Sequence, residues 1–333
     1  MARIFVTGGA GFIGSHVVRK LLDRGHEVTL YDSFVNYLYP IQPAHLHNIQ
    51  TRLAGLSDKA RFVRGNTHDF DFLRRAIADV KPHKIVHLAA MPLANLAVEH
   101  PEEALSTILQ GTMNLLQVAR DIETIDRFVY VSSSMVYGDF AQVPVKEDDT
   151  TNPKEVYGSL KLSGEVITRA FGGLYNIDYT VVRPSAVYGP TDNNSRVLGL
   201  FLENAFNGKP LRVKGPDQRL DFTYVTDIAE GVVLATLKPE ASKQTFNMTR
   251  GEGRRLGDAA KIVANLVPGA KIEELEANAM YPKRGALDIT RARELLGYRP
   301  EIDLEHGLAE YANYLREQRE VLKNFPIAME SRQ

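Results

Sequence analysis

Thr7-Gly8-Gly9-Ala10-Gly11-Phe12-Ile13-Gly14 follows directly on the first apolar run of the chain, Arg3–Thr7, and opens into a stretch of helical spacing, residues 13–23. A Gly-x-x-Gly-x-x-Gly turn between a strand and a helix has a physical reading at each glycine. Gly8 permits the tight turn, Gly11 lets the backbone approach a pyrophosphate, and Gly14 allows the helix to pack closely on the sheet. The second strand, residues 26–31, leads to Asp32, eighteen residues beyond Gly14. A carboxylate there can accept hydrogen bonds from both hydroxyls of an adenosine ribose and would repel a 2′-phosphate, so the pattern favours NAD over NADP. Asn66 and Thr67 follow the third strand, Arg61–Arg64, where they either face the adenine or form a surface turn.

The alternation of strand and helix continues beyond this unit. Short β-branched runs recur at Lys84–His87, 127–132 and Tyr179–Arg183, and stretches of helical spacing lie between them at 70–79, 101–121 and Val156–Tyr175. Parallel strands need crossover connections, so the rhythm predicts an α/β fold: a Rossmann-type, doubly wound parallel sheet with helices on both faces. After Arg183 the chain turns to loops rich in Gly, Pro, Asn and Asp with shorter helical segments. This predicts a smaller, mixed α/β C-terminal domain. Residues 1–182, with 222–247 returning to them, are expected to form the first domain, and 183–221 with 248–325 the second.

Composition removes several classes of function. Across 333 residues, 40 basic side chains against 41 acidic give a formal net charge of −1, so no global field draws the chain to nucleic acid or an anionic membrane. Neither is expected as a partner. There is no cysteine, which rules out disulfides, thiolate nucleophiles and cysteine-based zinc sites and fits a reducing compartment, the cytoplasm. No basic leader precedes the first strand, and the longest apolar stretch, 85–98, is too short for a bilayer. His45 and His47 have no partnering carboxylate cluster and read as exposed loop residues, while His16 and His87 read as packing or capping groups, so no metal is expected. Arg52 and Arg61 read as solvated loop charges.

Tyr157 and Lys161 stand four apart, so on a helix they share one face. Ser132, Ser133 and Ser134 lie at the C-terminal end of a strand, where open α/β sheets place their ligands, and Ser133 precedes Tyr157 by twenty-four residues. A phenol with a reference pKa of about 10 is a poor base at neutral pH unless a cation stabilises its phenolate. Lys161 can supply that charge, and a serine hydroxyl can hold a substrate alcohol against the tyrosine while hydride leaves the same carbon for NAD.

Together these motifs, with His87-Leu88-Ala89-Ala90, Ser132–Gly138, 183–190, 221–227 and 288–300, resemble the extended short-chain dehydrogenase/reductase family, in particular its NAD-dependent nucleotide-sugar epimerase/dehydratase group. The similarity runs over nearly the whole chain. It implies Ser133, Tyr157 and Lys161 as the catalytic residues. It implies a cofactor site of Gly8, Gly11, Phe12, Ile13, Gly14, Asp32, Asn66, Thr67, Leu88, Ala89, Ala90 and Pro184, together with Tyr157 and Lys161. The implied substrate is a nucleotide-diphosphate sugar. Ser134, Met135, Arg219 and Arg284 are its expected contacts: Arg284 matches an arginine that grips the diphosphate, and Arg219 lies one residue before the position where the family usually carries one. Lys209, Arg212 and Lys214 are placed near the nucleotide by the same likeness.

Departures from the family pattern select a reaction. Dehydratases of the group carry Asp-Glu immediately after the catalytic Thr or Ser, where this chain has Ser134-Met135. The decarboxylases have Glu at the position of Met135, and the 3,5-epimerases and reductase-epimerases use a cysteine that is absent here. Oxidation followed by return of the same hydride needs no extra acid or base, so a 4-epimerase acting on an NDP-hexose or NDP-hexuronate is expected. The alternatives are a net dehydrogenase or reductase of the same fold and a non-catalytic NAD-binding module. Ala186 and Ile108 stand where relatives often carry asparagine. The segment 32–52, with Asn36, Tyr37 and Tyr39, resembles the corresponding loop of UDP-glucuronate 4-epimerases, and a tyrosine-rich loop packing over the adenosine explains it equally well. The helices at 101–121 and Val156–Tyr175 resemble the pair that forms a four-helix bundle between family protomers. Their apolar residues Ala104, Ile108, Leu115, Leu116, Val118, Val166, Ile167 and Ala170 exceed one core-facing stripe, and a homodimer is expected.

Overall fold

The structure, a computed structural model, describes residues 1–35, 41–194, 196–277 and 282–323. In the first half, strands and helices alternate as β1 (Arg3–Thr7), α1 (Phe12–Asp23), β2 (Glu27–Asp32), α2 (Pro43–Leu53), β3 (Arg61–Arg64), α3 (Phe70–Val80) and β4 (Lys84–His87). They continue as α4 (Ala94–Glu99), α5 (Pro101–Ala104), α6 (Gly111–Asp121), β5 (Arg127–Val131), α7 (Val156–Tyr175) and β6 (Tyr179–Arg183). The central strands are apolar on both faces, as a sheet covered twice requires: every residue of β5 is buried. Helix ends are set by local chemistry. The Glu155 side chain accepts from the backbone of Tyr157 and Gly158 and starts α7, and Asn176, in the left-handed region, stops it.

The helix expected over 101–121 forms as one unbroken right-handed rod, but it is not α-helical throughout. Between α5 and α6 the segment Leu105–Gln110 winds as a π-helix, which shifts the register of the following turn. Ile108 lies in it and is buried, and its carbonyl accepts from Thr112 Oγ1 at 2.5 Å. Ala104, Ile108, Leu115, Leu116 and Val118, counted in the sequence as surplus apolar surface, are all interior to the chain itself. Two other faces consume them, the sheet on one side and α7 with the segment around Met91 on the other.

The second half runs β7 (Val187–Tyr188), α8 (Val197–Phe206), β8 (Leu211–Lys214), β9 (Arg219–Asp221), β10 (Thr223–Tyr224), α9 (Val225–Leu237) and β11 (Gln244–Asn247). It closes with β12 (Gly253–Arg255), α10 (Leu256–Leu266), β13 (Ile272–Leu275), α11 (Thr290–Leu296) and α12 (Leu304–Lys323). One seven-stranded sheet has the order β11-β6-β5-β4-β1-β2-β3, with every pairing parallel. The chain leaves β1 toward β2 and β3, then returns to its other side at β4. The topological switch therefore falls between β1 and β4, and the crevice beyond their carboxyl ends is where such sheets bind ligands.

A first core fills the space between this sheet, α1 and α9, and a second joins α8, β8, α10 and α12 through Leu198, Phe201, Leu211, Val213, Val263 and Leu308. The division differs in detail from the sequence reading. Phe222 and Tyr224 belong to the second core, whereas Ile289, Ala292, Leu296 and Tyr298, around α11, pack into the first.

Candidate active site

At the switch point the glycines meet backbone. Gly8 has φ +70°, and a Cβ on it would lie 2.7 Å from Ala89 N on the loop after β4. A Cβ on Gly14 would come 2.0 Å from Gly8 O, so only glycine lets α1 begin this close to the turn. Gly11 caps α1 with no side chain over the first turn, leaving its amide N–H groups turned to the cleft that Gly11, Phe12, Ile13 and Gly14 line.

At the end of β2, Asp32 Oδ2 accepts from Ala10 N at 3.0 Å and Oδ1 from Phe34 N at 2.8 Å. Burial pushes its carboxyl up while these backbone donors and Arg52 work against the shift. Asn66 and Thr67 line the same cleft, as do Leu88, Ala89, Ala90 and Pro184. Thr67 Oγ1 is buried without a hydrogen-bond partner. Open amides, a ribose-range carboxylate and a partnerless hydroxyl along one groove fit a bound dinucleotide.

The cleft, about 1040 Å³ in volume, continues to the carboxyl end of β5. There Ser133 caps a single 3₁₀ turn, Ser134–Tyr137, its Oγ accepting from Met135 N at 3.2 Å, and the same hydroxyl lies beside the Tyr157 phenol in the cleft. Tyr157 and Lys161 share the inner face of α7. Burial pushes the Tyr157 phenol up to about 12; Arg196 and the neighbouring Ser133 hydroxyl oppose this, and Glu155 adds to it. Lys161 is drawn down to about 7 by burial, with Glu165 opposing. Its Nζ donates to Val131 O at 2.8 Å and lies 5.9 Å from the centre of the Tyr157 ring. The lysine is thus anchored on β5 beside the phenol rather than bonded to its oxygen.

Ser132 faces away from this chemistry. Its Oγ donates to Glu165 at 2.6 Å, and Glu165, fully buried, also holds Arg183 through both carboxylate oxygens at 2.9 and 2.7 Å. The pair ties α7 to β6 directly behind the serines.

On the opposite wall Arg284 lies against Met135, with Nη1 3.5 Å from Sδ, and both line the cleft with Ser134. Arg219 does not. Along β9 and the residue before it, Gln218 and Leu220 face the cleft, so by strand alternation Arg219 points the other way, and its Nη1 donates to Gly253 O at 2.9 Å. It borders a smaller depression that shares Gln218, Leu220 and Arg284 with the cleft. Arg212 and Lys214 reach the cleft from strand β8 rather than from a loop, and Lys209 is not among the lining residues.

Arg52 is a second correction. It is not a solvated charge: it is buried on α2, lines the cleft and donates through Nε to Thr191 O at 3.0 Å. Arg61 does remain at the surface, paired with Asp79. His45 and His47 lie on α2, partly covered, the first accepting from Gln42 N at the helix start and the second 6.3 Å from the Tyr314 ring. Among the described residues no cluster of three or more His, Cys, Asp or Glu could hold a metal. His87 is buried between Thr7 Oγ1 at 2.7 Å and Thr112 Oγ1 at 3.0 Å. Asn36, Tyr37 and Tyr39 lie outside the described residues.

Sequence reasoning missed Arg196 and Glu155. Arg196, at the start of α8, pairs with Asp192 at 3.1 Å and stands 5.7 Å from the centre of the Phe12 ring. No local pattern marks it, because its partners at Phe12 and Pro92 are distant in sequence. Glu155 had a signal: a carboxylate immediately before a helix is a cap.

Fold and site together define an open-sheet α/β enzyme that binds a dinucleotide beside a Ser-Tyr-Lys centre. The model of the NAD dependent epimerase/dehydratase family matches residues 4–249, and the chain belongs to that family. It is 32% identical over 321 residues to a UDP-glucose 4-epimerase of Mycolicibacterium smegmatis, covering 94% of this chain and 98% of that protein. Among solved structures, the UDP-glucuronic acid 4-epimerase of Bacillus cereus, in complex with UDP-glucuronic acid and NAD, aligns with a TM-score of 0.85 at 28% identity, covering 95% of this chain and 99% of the other. The UDP-glucose 4-epimerase of Thermotoga maritima, with UDP-glucose, aligns at 0.84 and 29%, with the same coverage.

Proposed function

We propose that this chain is an NAD-dependent nucleotide-sugar epimerase that inverts the C4 hydroxyl of an NDP-hexose or NDP-hexuronate through a transient 4-keto sugar. The observation that carries the reading is that Ser133, Tyr157 and Lys161 converge in one groove, the lysine 5.9 Å from the centre of the phenol ring, with the glycine cradle at the other end. When bound along Gly8–Gly14 and Asp32, NAD would supply a hydride acceptor for the alcohol carbon and a hydride donor to the opposite face of the 4-keto sugar. Ser133 Oγ holds the sugar hydroxyl, Tyr157 Oη removes its proton and later returns one, and Lys161 contributes positive charge beside the phenol. A phenol pushed up to about 12 needs that help, and Arg196 adds to it.

Met135 is a thioether with no proton to give, and Ser134 is no general acid, so the elimination of water has no acid–base pair at this position. Arg284, Arg212 and Lys214 converge on the cleft from the C-terminal side and offer donors to a diphosphate and nucleotide. The first 182 residues, against which α9 and β11 of the returning segment pack, carry the dinucleotide, and the remainder chiefly the sugar nucleotide. The protein works as a homodimer in the cytoplasm. The dimer is supported by the exposed apolar residues on the outer face of α7, and the compartment by a composition without cysteine. Among the described residues no helix is long and apolar enough to cross a membrane.

The test is to incubate purified protein, without added cofactor, with UDP-, GDP-, CDP- and dTDP-sugars and follow the products by NMR. A UDP-sugar comes first, since the similar enzymes from M. smegmatis and B. cereus are named for UDP-sugars. C4 inversion is expected. A product formed only with stoichiometric change in nicotinamide absorbance would replace the epimerase with a net oxidoreductase.

A further inference from the structure

Helix α2 covers the adenosine end of the cleft, where Ile49 and Arg52 line it alongside Asp32. It is fastened from behind by polar bonds that a solvated crossover helix would not need. Asn48, 5% exposed, is bonded through both its amide nitrogen and its amide oxygen. Its Nδ2 donates to Asn193 Oδ1 at 2.6 Å, and its Oδ1 accepts from Tyr314 Oη and from Gln318 Nε2, each at 2.6 Å. The neighbouring turns repeat the pattern: Asn193 Nδ2 donates to His45 O at 3.2 Å and Gln318 Nε2 to Ala44 O at 3.2 Å.

One turn further on, both Nε and Nη2 of Arg52 donate to Thr191 O. Thr191 holds φ +72°, a conformation that a β-branched residue adopts only when its surroundings impose it. Three parts of the chain far apart in sequence therefore close on one another: α2, the 191–194 segment that leads toward Arg196, and α12.

We propose that this clasp, centred on Asn48, holds the dinucleotide captive through the catalytic cycle, with Arg52 as a further cofactor-positioning residue and Asn48 and Tyr314 positioning α2. The proposal builds on the NAD reading given above. A dinucleotide seated on Asp32 lies beneath α2 and leaves only if α2 swings away from α12 and the 191–194 segment. That motion breaks a set of largely buried hydrogen bonds together, and each donor or acceptor exposed without a partner adds to the barrier. Release is thus slow for a structural reason, as an enzyme that must return the same hydride requires. The clasp touches neither the serine nor the phenol, so loosening it should act first on retention.

The experiment compares wild type, Asn48→Ala, Tyr314→Phe and a control on the same helix outside the clasp, Arg316→Ala. Dinucleotide per chain is measured on purified protein by extraction, and its release by exchange against labelled NAD. Wild type and Arg316→Ala should keep their dinucleotide. Asn48→Ala should release it about tenfold faster or more, the ratio expected for losing about 1.4 kcal/mol of hydrogen bonding. Tyr314→Phe should release it several-fold faster, and added NAD should restore the kcat and thermal midpoint of both variants to wild-type values. Should Asn48→Ala fail to fold, Tyr314→Phe decides. Exchange within twofold of wild type in the variants overturns the clasp alone, whereas wild-type protein that neither carries nor takes up NAD overturns the cofactor reading with it.

Discussion

Tyr157 is the residue on which the chemistry turns, and its surroundings define what its loss should do. The ring stays packed and the Ser133 hydroxyl stays capped to Met135 N when only the phenol oxygen is removed. Tyr157→Phe should therefore keep fold and dinucleotide while C4 inversion falls by about 10²–10⁴-fold, the range for a lost general base. NMR turnover and extracted NAD, measured on one preparation, check both halves. A variant with near-wild-type turnover would show that another group removes the proton. At this scale the sequence was informative where a function needs a fixed local spacing: Gly8 to Gly14 in one turn, Tyr157 and Lys161 on one helix face. It was uninformative where a side chain acts across the fold. Arg52 and Arg196 meet Thr191, Phe12 and Pro92 only after folding, and a one-residue offset on β9 turns Arg219 from the face that Gln218 and Leu220 present to the cleft.

Among the elements, the joint between α7 and β6 does most to fix the catalytic serines. Glu165 and Arg183 are both buried, and Ser132 and Arg169 complete the carboxylate's partners. Burial pushes the Glu165 carboxyl up, but the bonds and charge of Arg183 with those partners outweigh it and hold the group low. A carboxylate whose pKa is depressed by folding contributes stability above its unfolded value, about 4.3, and loses it as pH falls through the lower folded value. Glu165→Gln leaves Arg183 buried without its counter-charge and should cost about 3–5 kcal/mol in urea unfolding at pH 7. The gap to wild type should narrow as pH drops below about 4.3, because wild type is then losing the same contribution. An equal gap at both ends of that range would show that the carboxylate's charge is not what stabilises the joint. The element pattern itself was legible, since α7 begins and ends where its periodicity, cap and left-handed Asn176 indicate. The π-helical turn at Leu105–Gln110 was not, because its apolar spacing is compatible with a continuous α-helix and only packing around Ile108 selects the wider turn.

For the whole molecule, the question is what covers the outer surface of α7. Most of the apolar surplus that argued for a dimer in the sequence is spent inside the chain; Val166 and Ala170 of it stay in the open, joined by Leu174 and Leu105, which the sequence reading did not count. Val166 is 57% and Leu174 76% exposed, Ala170 is exposed between them, and Leu105 on the adjoining helical segment is 50% exposed. Spaced at 166, 170 and 174, the first three fall on one helix stripe, and Leu105, Leu109 and Met113 form a second row on the neighbouring segment, the latter two half-buried. Two such rows meeting their own copies across a two-fold axis would form a bundle of four helices, with each stripe facing itself in an isologous contact. Light scattering at micromolar concentration should therefore give twice the chain mass. Val166→Arg combined with Leu174→Arg places four charges in that contact, two from each protomer, and should yield a monomer that still binds NAD, since neither residue lines the cleft. A wild-type protein that scatters as a monomer would remove the dimer. A double variant that stays dimeric would move the interface to another face, and the exposed stripe on α7 would need a different partner.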